Sequence, residues 1–297
     1  MNKKFTIGVD LGGTKIMTGV IDAGGNVIGN PVRIPTGGSD KAEAIIGRIT
    51  GSIDSVIKSQ DLKLADLTGI GIGATGPLDI KEGLILECPQ LPEMHFFPLR
   101  QAIQDHFMMP VRLNNDANCF AYGEALFGAA AGKENVLGFT LGTGLGCALV
   151  MGGKLINGST GTAAEIWTSP YRSGIIEDYV SGSGVSKIYQ SISGIEKTSY
   201  EIFELALKND HQALQAWKEF GVHLAYPIAW SINLIDPQVV VLGGSITAAW
   251  PFFRDSMEEN LRKWICPVPA KETIVVLSKL GDYAGIIGAA SLFMEIK

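Results

Sequence analysis

No apolar run in this sequence of 297 residues is long enough to cross a bilayer, which takes about 20 residues. The opening Met1-Asn2-Lys3-Lys4 has the charge of a signal peptide, but Asp10 cuts short the apolar run behind it and no small-residue cleavage site follows. A soluble, cytoplasmic protein without a membrane partner is expected. Cysteine is scarce. Cys88, Cys119, Cys147 and Cys266 form no Cys-x-x-Cys pair and have no histidine at ligand spacing, which argues against a disulfide framework or a zinc finger. They are expected to be buried thiols in a reducing compartment. An excess of positive charge is also missing: 24 basic side chains against 30 acidic ones give a net charge of −6, spread without long runs. A general nucleic-acid binder would carry a basic face, so that class is excluded. Nucleotides are not, because backbone N–H groups bind phosphate without net positive charge.

What is present fits a two-lobed α/β protein. The apolar fraction is 46% and the charged fraction 18%, and the length suits two lobes joined, in the absence of any low-complexity linker, by short hinges. An internal repeat supports this. Residues 5–29 read strand, Gly-rich turn, strand, Gly turn, strand, and residues 136–158 do so again, with Leu11-Gly12 aligned on Leu141-Gly142 and Asp10 on Thr140. Two copies of one supersecondary unit predict a duplicated lobe with a cleft between the copies. Helical spacing of Ile45, Ile49, Ile53 and Val56 predicts a helix over 41–59, and Leu214, Trp217, Phe220, Leu224 and Ile228 a long one kinked at Pro227 and stopped at Asp236-Pro237. Strands are expected at 69–75, 111–113 and 239–242, and helices at 117–131 and about 283–294.

Four segments have the composition of a chemical site. Asp10-Leu-Gly-Gly-Thr-Lys15 lies at the tip between two strands, where glycines let backbone approach a phosphate, Thr14 can donate, and Asp10 can hold Mg²⁺ through water. An ordinary hairpin turn would look similar, and the Walker spacing is absent. Leu141-Gly-Thr-Gly-Leu-Gly146 reads as a second phosphate-contacting hairpin, since strands flank it and no helix follows directly. Asp116, in Asn114-Asn115-Asp116-Ala117-Asn118, sits at a strand-to-helix junction. It can take a hydroxyl proton, or it can merely cap the helix. Val240-Val-Leu-Gly-Gly-Ser245 brings paired glycines to a strand end, suited to an adenosine or to a simple turn.

In this order, DLGGTK at 10–15, GATGPLD at 73–79, NNDANC at 114–119, LGTGLG at 141–146 and VVLGGS at 240–245 resemble the ROK family (repressors, open reading frames and kinases) over essentially the whole chain. The resemblance implies two actin-like (ribonuclease H-like) lobes around a ligand cleft, expected as residues 1–114 plus 283–297 and residues 115–282. It implies transfer of the ATP γ-phosphate to a hexose hydroxyl, usually on carbon 6, with ATP and Mg²⁺ as cofactors and a homodimer as the assembly. By the same resemblance Asp116 is the catalytic base, and Gly76, Asn115, Glu165 and Glu177 join it in holding the sugar. Gly12, Gly13, Thr14, Lys15, Gly142, Thr143 and Gly144 serve the phosphates, Gly243 and Gly244 the adenosine, and Asp10 the magnesium.

The departures are local. Trp167-Thr168 replaces the family's Gly-His, and Glu177 follows Glu165 by only 12 positions, so the segment Cys-x-Cys-Gly-x-x-Gly-Cys is absent. No structural zinc is expected, and Trp167 is left either to stack on a sugar or to pack. Glucose or a related hexose is the first expected acceptor and an N-acetylhexosamine (GlcNAc or ManNAc) the second, with ATP or polyphosphate as donor. A non-catalytic sugar-binding regulator, an actin-like ATPase and an acyl-phosphate kinase are the rivals. A repressor would need an N-terminal helix-turn-helix, for which a first strand near Phe5 leaves no room.

Overall fold

The computed structural model describes residues 4–266 and 269–294. Packing divides the chain into two compact units: residues 1–134, 149–163 and 279–297, and residues 135–148 and 164–278. The first unit is built on strands β1 (Phe5–Leu11), β2 (Lys15–Asp22), β3 (Val27–Pro35) and β4 (Leu67–Ala74), the short hairpin β5 (Leu78–Asp79) and β6 (Leu84–Ile85), and β7 (Val111–Asn115). Its sheet runs β3-β2-β1-β4-β7, antiparallel through β1 and parallel from β1 to β7. Helices α1 (Ala42–Ser59), α2 (Leu99–Phe107) and α3 (Asp116–Phe127) follow in chain order.

The second sheet carries β8 (Val136–Leu141), β9 (Leu145–Met151), β10 (Lys154–Leu155), β13 (Val239–Gly243) and β14 (Ile274–Leu277) in the order β10-β9-β8-β13-β14. A small hairpin, β11 (Pro170–Tyr171) with β12 (Gly174–Ile175), precedes α4 (Gly182–Ser193), α5 (Ser199–Leu207) and the long α6 (His211–Ile235). Then come α7 (Trp250–Trp264), the one-turn α8 (Pro269–Glu272) and α9 (Ala284–Ser291). The two strand–turn–strand–turn–strand copies are therefore β1-β2-β3 and β8-β9-β10. Pro227 is accommodated inside α6, whose end is set by Asp236 in the left-handed region. Trp217, Phe220 and Phe253 join α6 to α7 with ring centroids 5.3–6.2 Å apart.

Both faces of the first sheet are covered. Ile7, Val9, Leu11, Ile16, Val20, Ile70 and Ile72 meet the apolar stripe of α1, Ile45, Ile49, Ile53 and Val56. The other face is floored with glycine. A Cβ at Gly8 would lie 1.9 Å from the Ile286 carbonyl oxygen, one at Gly71 1.8 Å from that of Ala289, and one at Gly73 3.0 Å from Cys119 Sγ. The alternating glycines of Gly69-Ile-Gly-Ile-Gly73 thus let α9 and α3 rest on the strand backbone itself.

The sequence-based division at residue 114 differs from this packing. Residues 115–134 group with the first unit because α3 lies on α9 and because Glu124, fully buried, accepts N–H bonds from Ala129 (2.6 Å), Leu280 (3.0 Å) and Lys279 (3.2 Å). Cys88, Cys119 and Cys147 are buried, and burial pushes each thiol pKa up, but Cys266 is exposed beyond the end of α7, against the expectation for all four. The helix expected over 117–131 ends earlier, at Phe127. No helix among the described residues is long and apolar enough to cross a membrane.

Gly71→Ala is expected to cost about 3 kcal/mol or more, since helix backbone must shift to admit the methyl. Gly51→Ala, on the open side of α1 where a Cβ meets nothing within 4 Å, should instead stabilise by up to about 1 kcal/mol. Denaturant unfolding of both variants checks the pair.

Candidate functional site

The parallel register brings the first set of candidates to one edge. Asp10 of β1 stands beside Gly73 of β4, which stands beside Asn114 of β7, and the next row is Leu11, Ala74 and Asn115. All three chains leave the sheet there at their carboxyl ends, where open α/β sheets place their ligands.

Asp10 packs on the start of α9, where a Cβ at Gly285 would lie 2.8 Å from its Cγ. Burial raises its pKa, and Lys15 and Arg33 pull it back down. The tip beyond it is a closed hairpin: Gly12 N–H donates to the Lys15 carbonyl (3.0 Å). Thr36, buried at the end of β3, braces the tip by donating its hydroxyl to the Gly12 carbonyl (2.7 Å) and its N–H to that of Thr14 (3.0 Å). Gly13 lies under Gln90, 2.6 Å from a would-be Cβ to the Gln90 Cβ, while Thr14 is exposed. Neither Thr36 nor Gln90 stood out in the sequence, because neither belongs to a motif.

At the start of α3 the two readings of Asp116 separate. Asn115 is the N-cap, its Oδ1 accepting from Ala117 N–H (2.9 Å) and Asn118 N–H (3.4 Å). Asp116 is the first helical residue, half-buried, with Oδ1 also accepting from Ala117 N–H (2.8 Å). The cap does not depend on Asp116, because Asn115 supplies it. Gly76 adjoins this junction: its would-be Cβ lies 3.2 Å from Asn115 Nδ2. Behind it is an amide cluster that sequence reasoning missed. Asn118 donates to Asn114 Oδ1 (2.8 Å) and Asn157 Oδ1 (3.2 Å), and Asn114 Nδ2 donates to Asn157 Oδ1 (3.0 Å). Asn157 lies two residues past β10, in the Lys154-Leu-Ile-Asn-Gly158 segment that the repeat marks only as a strand.

The second set lies in the other unit and is described by itself. The tip between β8 and β9 closes with Gly142 N–H on the Gly144 carbonyl (3.0 Å), and the Gly142 carbonyl accepts the first N–H of α4, from Gly182 (2.8 Å). Thr143 is exposed. Gly244, at φ +90°, turns the chain after β13 so closely over Leu141 that a Cβ would lie 2.3 Å from its carbonyl oxygen; Gly243 precedes it, buried at the strand end. Glu177 accepts the Leu145 N–H (2.8 Å) and lies over Gly144, 2.6 Å from a would-be Cβ, so this carboxylate and the Gly-rich tip are in direct contact. Glu165 accepts a hydrogen bond from the Trp167 indole N–H. Partial enclosure of the Glu165 carboxyl raises its pKa, the Trp167 bond lowers it, and Glu177 nearby raises it again. Trp167, half-buried, is thus engaged edge-on with Glu165.

Asp10, half-buried at the carboxyl edge of the sheet, has the donor chemistry to hold a magnesium ion whose other ligands are water and phosphate oxygens. Zinc does not fit the span from Glu165 to Glu177, which holds no cysteine or histidine, and among the described residues no three His, Cys, Asp or Glu side chains gather to hold a metal.

Known proteins share this architecture from end to end. A glucokinase of Thermotoga maritima is 30% identical, with 99% of each chain covered, and an N-acetyl-D-glucosamine kinase of Vibrio parahaemolyticus is 28% identical over 98% of this chain and 99% of its own. The crystal structure of a ROK family glucokinase from Streptomyces griseus in complex with glucose and AMPPNP superposes with a TM-score of 0.81 at 29% identity, covering 97% of this chain and 98% of that one. The two five-stranded sheets are those of the actin-like sugar kinase fold. With the family model matching residues 6–296, this chain belongs to the ROK family.

Proposed function

We propose that this chain transfers the γ-phosphoryl group of ATP to a hexose hydroxyl, that on carbon 6 of glucose or a related hexose, with Asp116 as the base. The observation that carries the assignment of the base is the start of α3, where Asn115 supplies the cap and Asp116 stands beside it as a half-buried carboxylate. Membership of the ROK family and end-to-end likeness to glucokinases support the reaction.

Phosphoryl transfer asks for positioning and charge neutralisation more than covalent chemistry. The sugar hydroxyl oxygen attacks the γ-phosphorus, its proton passes to a carboxylate oxygen of Asp116, and the bond from phosphorus to the bridging oxygen breaks to release ADP. Asn115 and Gly76 line the acceptor side; with Asn115 Oδ1 held by the cap, its Nδ2 is the donor available to a sugar oxygen. Glu165 and Glu177 accept from sugar hydroxyls. Gly12 to Lys15 and Gly142 to Gly144 serve the phosphates, with the exposed hydroxyls of Thr14 and Thr143 as donors, and Gly243-Gly244 serves the adenosine. Asp10 would hold Mg²⁺, which when bound neutralises charge on the phosphates.

An N-acetylhexosamine is the second reading of the acceptor, favoured by the likeness to the Vibrio enzyme. The homodimer is proposed from family membership, and sedimentation equilibrium tests it. ADP release from Mg-ATP across hexoses and N-acetylhexosamines, before and after zinc chelation, tests the reaction and names the sugar. Turnover should survive chelation. Silence across the panel from folded, ATP-binding protein would overturn the kinase reading.

Asp116→Asn should reduce kcat by about 10²–10⁴-fold with the melting temperature and sugar affinity kept; a near-normal kcat would refute the base. Asp10→Asn should raise the Mg²⁺ concentration needed for half-maximal rate while the sugar KM stays within about twofold, read from initial rates at varied metal.

A further inference from the structure

The chain between Glu165 and Glu177 has little to hold it in place. Ile176 is its one buried residue, and its regular structure amounts to single 3-10 turns at Ile166–Thr168 and Ile176–Asp178 and the two-residue strands β11 and β12. Pieces that short are not stable by themselves. The cysteine-rich insertion that fills this place in the resembling family is absent. Both glutamates nonetheless emerge from this segment.

One residue of the segment reaches the helical layer. Tyr171, at the turn between β11 and β12, places its hydroxyl 3.0 Å from Nδ1 of His223, and His223 is 1% exposed on α6. Burial first, then the charge of Arg172, lowers the His223 pKa to about 4, so the ring is neutral near pH 7. Its Nε2 faces Glu219 Oε1 at 3.6 Å, and that carboxylate favours the tautomer with the ring proton on Nε2, in which Nδ1 accepts from the tyrosine. Aromatic packing encloses the bond: the Tyr171 ring lies 5.2 Å edge-on from Tyr179, 4.6 Å from Tyr226 and 5.7 Å edge-on from His223. Arg172, in the left-handed region at φ +53°, covers the Tyr171 and Tyr179 rings at 5.8 and 5.9 Å. The Tyr179 hydroxyl ties back to Ser173 (2.8 Å), and Asp178 closes the far end by accepting from Ile175 N–H (3.1 Å) and Lys187 (2.6 Å).

We propose that the Tyr171–His223 hydrogen bond, within its aromatic enclosure, is the anchor that positions Glu165 and Glu177 for the sugar, taking the place of a metal-closed segment. Tyr171 and His223 are positioning residues: they act on the sugar through the two glutamates. The proposal rests on the reading of Glu165 and Glu177 as sugar ligands.

The test has two parts, so that it can fail separately from the kinase reading. Hydrogen exchange of the wild-type protein needs no substrate. Peptides spanning 165–178 should exchange slowly, and Tyr171→Phe should speed that segment while the β8 and β13 peptides keep their rates. Steady-state kinetics then use the sugar that the panel identifies. Tyr171→Phe and His223→Leu should raise the sugar KM about fivefold or more, the scale of one lost hydrogen bond, with the ATP KM and kcat within about twofold. His223→Asn, which keeps an acceptor near the Nδ1 position, should restore most of the sugar affinity. If Tyr171→Phe does not fold, the His223→Leu and His223→Asn pair decides. An unprotected 165–178 segment in the wild type, or variants that lose thermal stability with an unchanged sugar KM, would overturn the anchor. A wild type inactive on every sugar, with the segment protected and loosened by Tyr171→Phe, would overturn the kinase reading and leave the anchor standing.

Discussion

The first unit depends on a backbone-to-backbone approach, the seating of α9 on the glycine face of β1 and β4. With would-be Cβ positions under 2 Å from helix carbonyls at Gly8 and Gly71, no other residue type fits without moving the helix. Interiors pack to crystal-like density, so such a seat has one solution rather than a range of them. From that seat follow the position of α3, which lies on α9, the place of Asp116 at the head of α3, and the placement of Asp10 against Gly285. The α1 face is ordinary by comparison, aliphatic side chains interleaved between a helix and a sheet.

The polar parts then lock onto this frame. Glu124 shows how: a carboxylate with no exposure is tolerable because backbone N–H groups from two chain segments converge on it, and those bonds tie the start of the 279–294 segment to α3. The Asn114–Asn118–Asn157 cluster does the same at the opposite end of α3. Its amides offer both donors and acceptors, so three side chains close a network without a charge. The helix that carries the proposed base is thus held at both ends by side-chain-to-backbone or amide bonds, and by small residues between.

Much of the fold could be read from the sequence because it depends on local periodicity. The apolar stripe of α1, the run of α6 through Pro227 to Asp236, the strand Val239–Gly243 and the repeated strand–turn–strand units are all patterns within a short window. The glycines of Gly69-Ile-Gly-Ile-Gly73 marked a buried strand, but not which helix would lie on it, since that partner comes more than 200 residues later. The grouping of residues 115–134 with the first unit was not readable for the same reason: α3 and α9 meet through long-range packing that leaves no trace in composition. At the site, the Gly-rich tips and NNDANC stood out by motif. Which asparagine caps α3, that Asn157 joins Asn114, and that Glu177 touches Leu145 were not readable, because each depends on where two distant segments come to rest.

That last contact limits how the protein can be altered. Glu177 spends one oxygen on the Leu145 amide and lies over residue 144, where a side chain would have to push that carboxylate aside. A library that varies position 177 to change the accepted sugar would at the same time strip a brace from the neighbouring glycine tip, and one that varies the tip would displace the carboxylate. On the roles proposed for Glu177 and for the tip, acceptor preference and donor affinity are then not separate dials in this molecule, and reprogramming one will take compensating changes in the other.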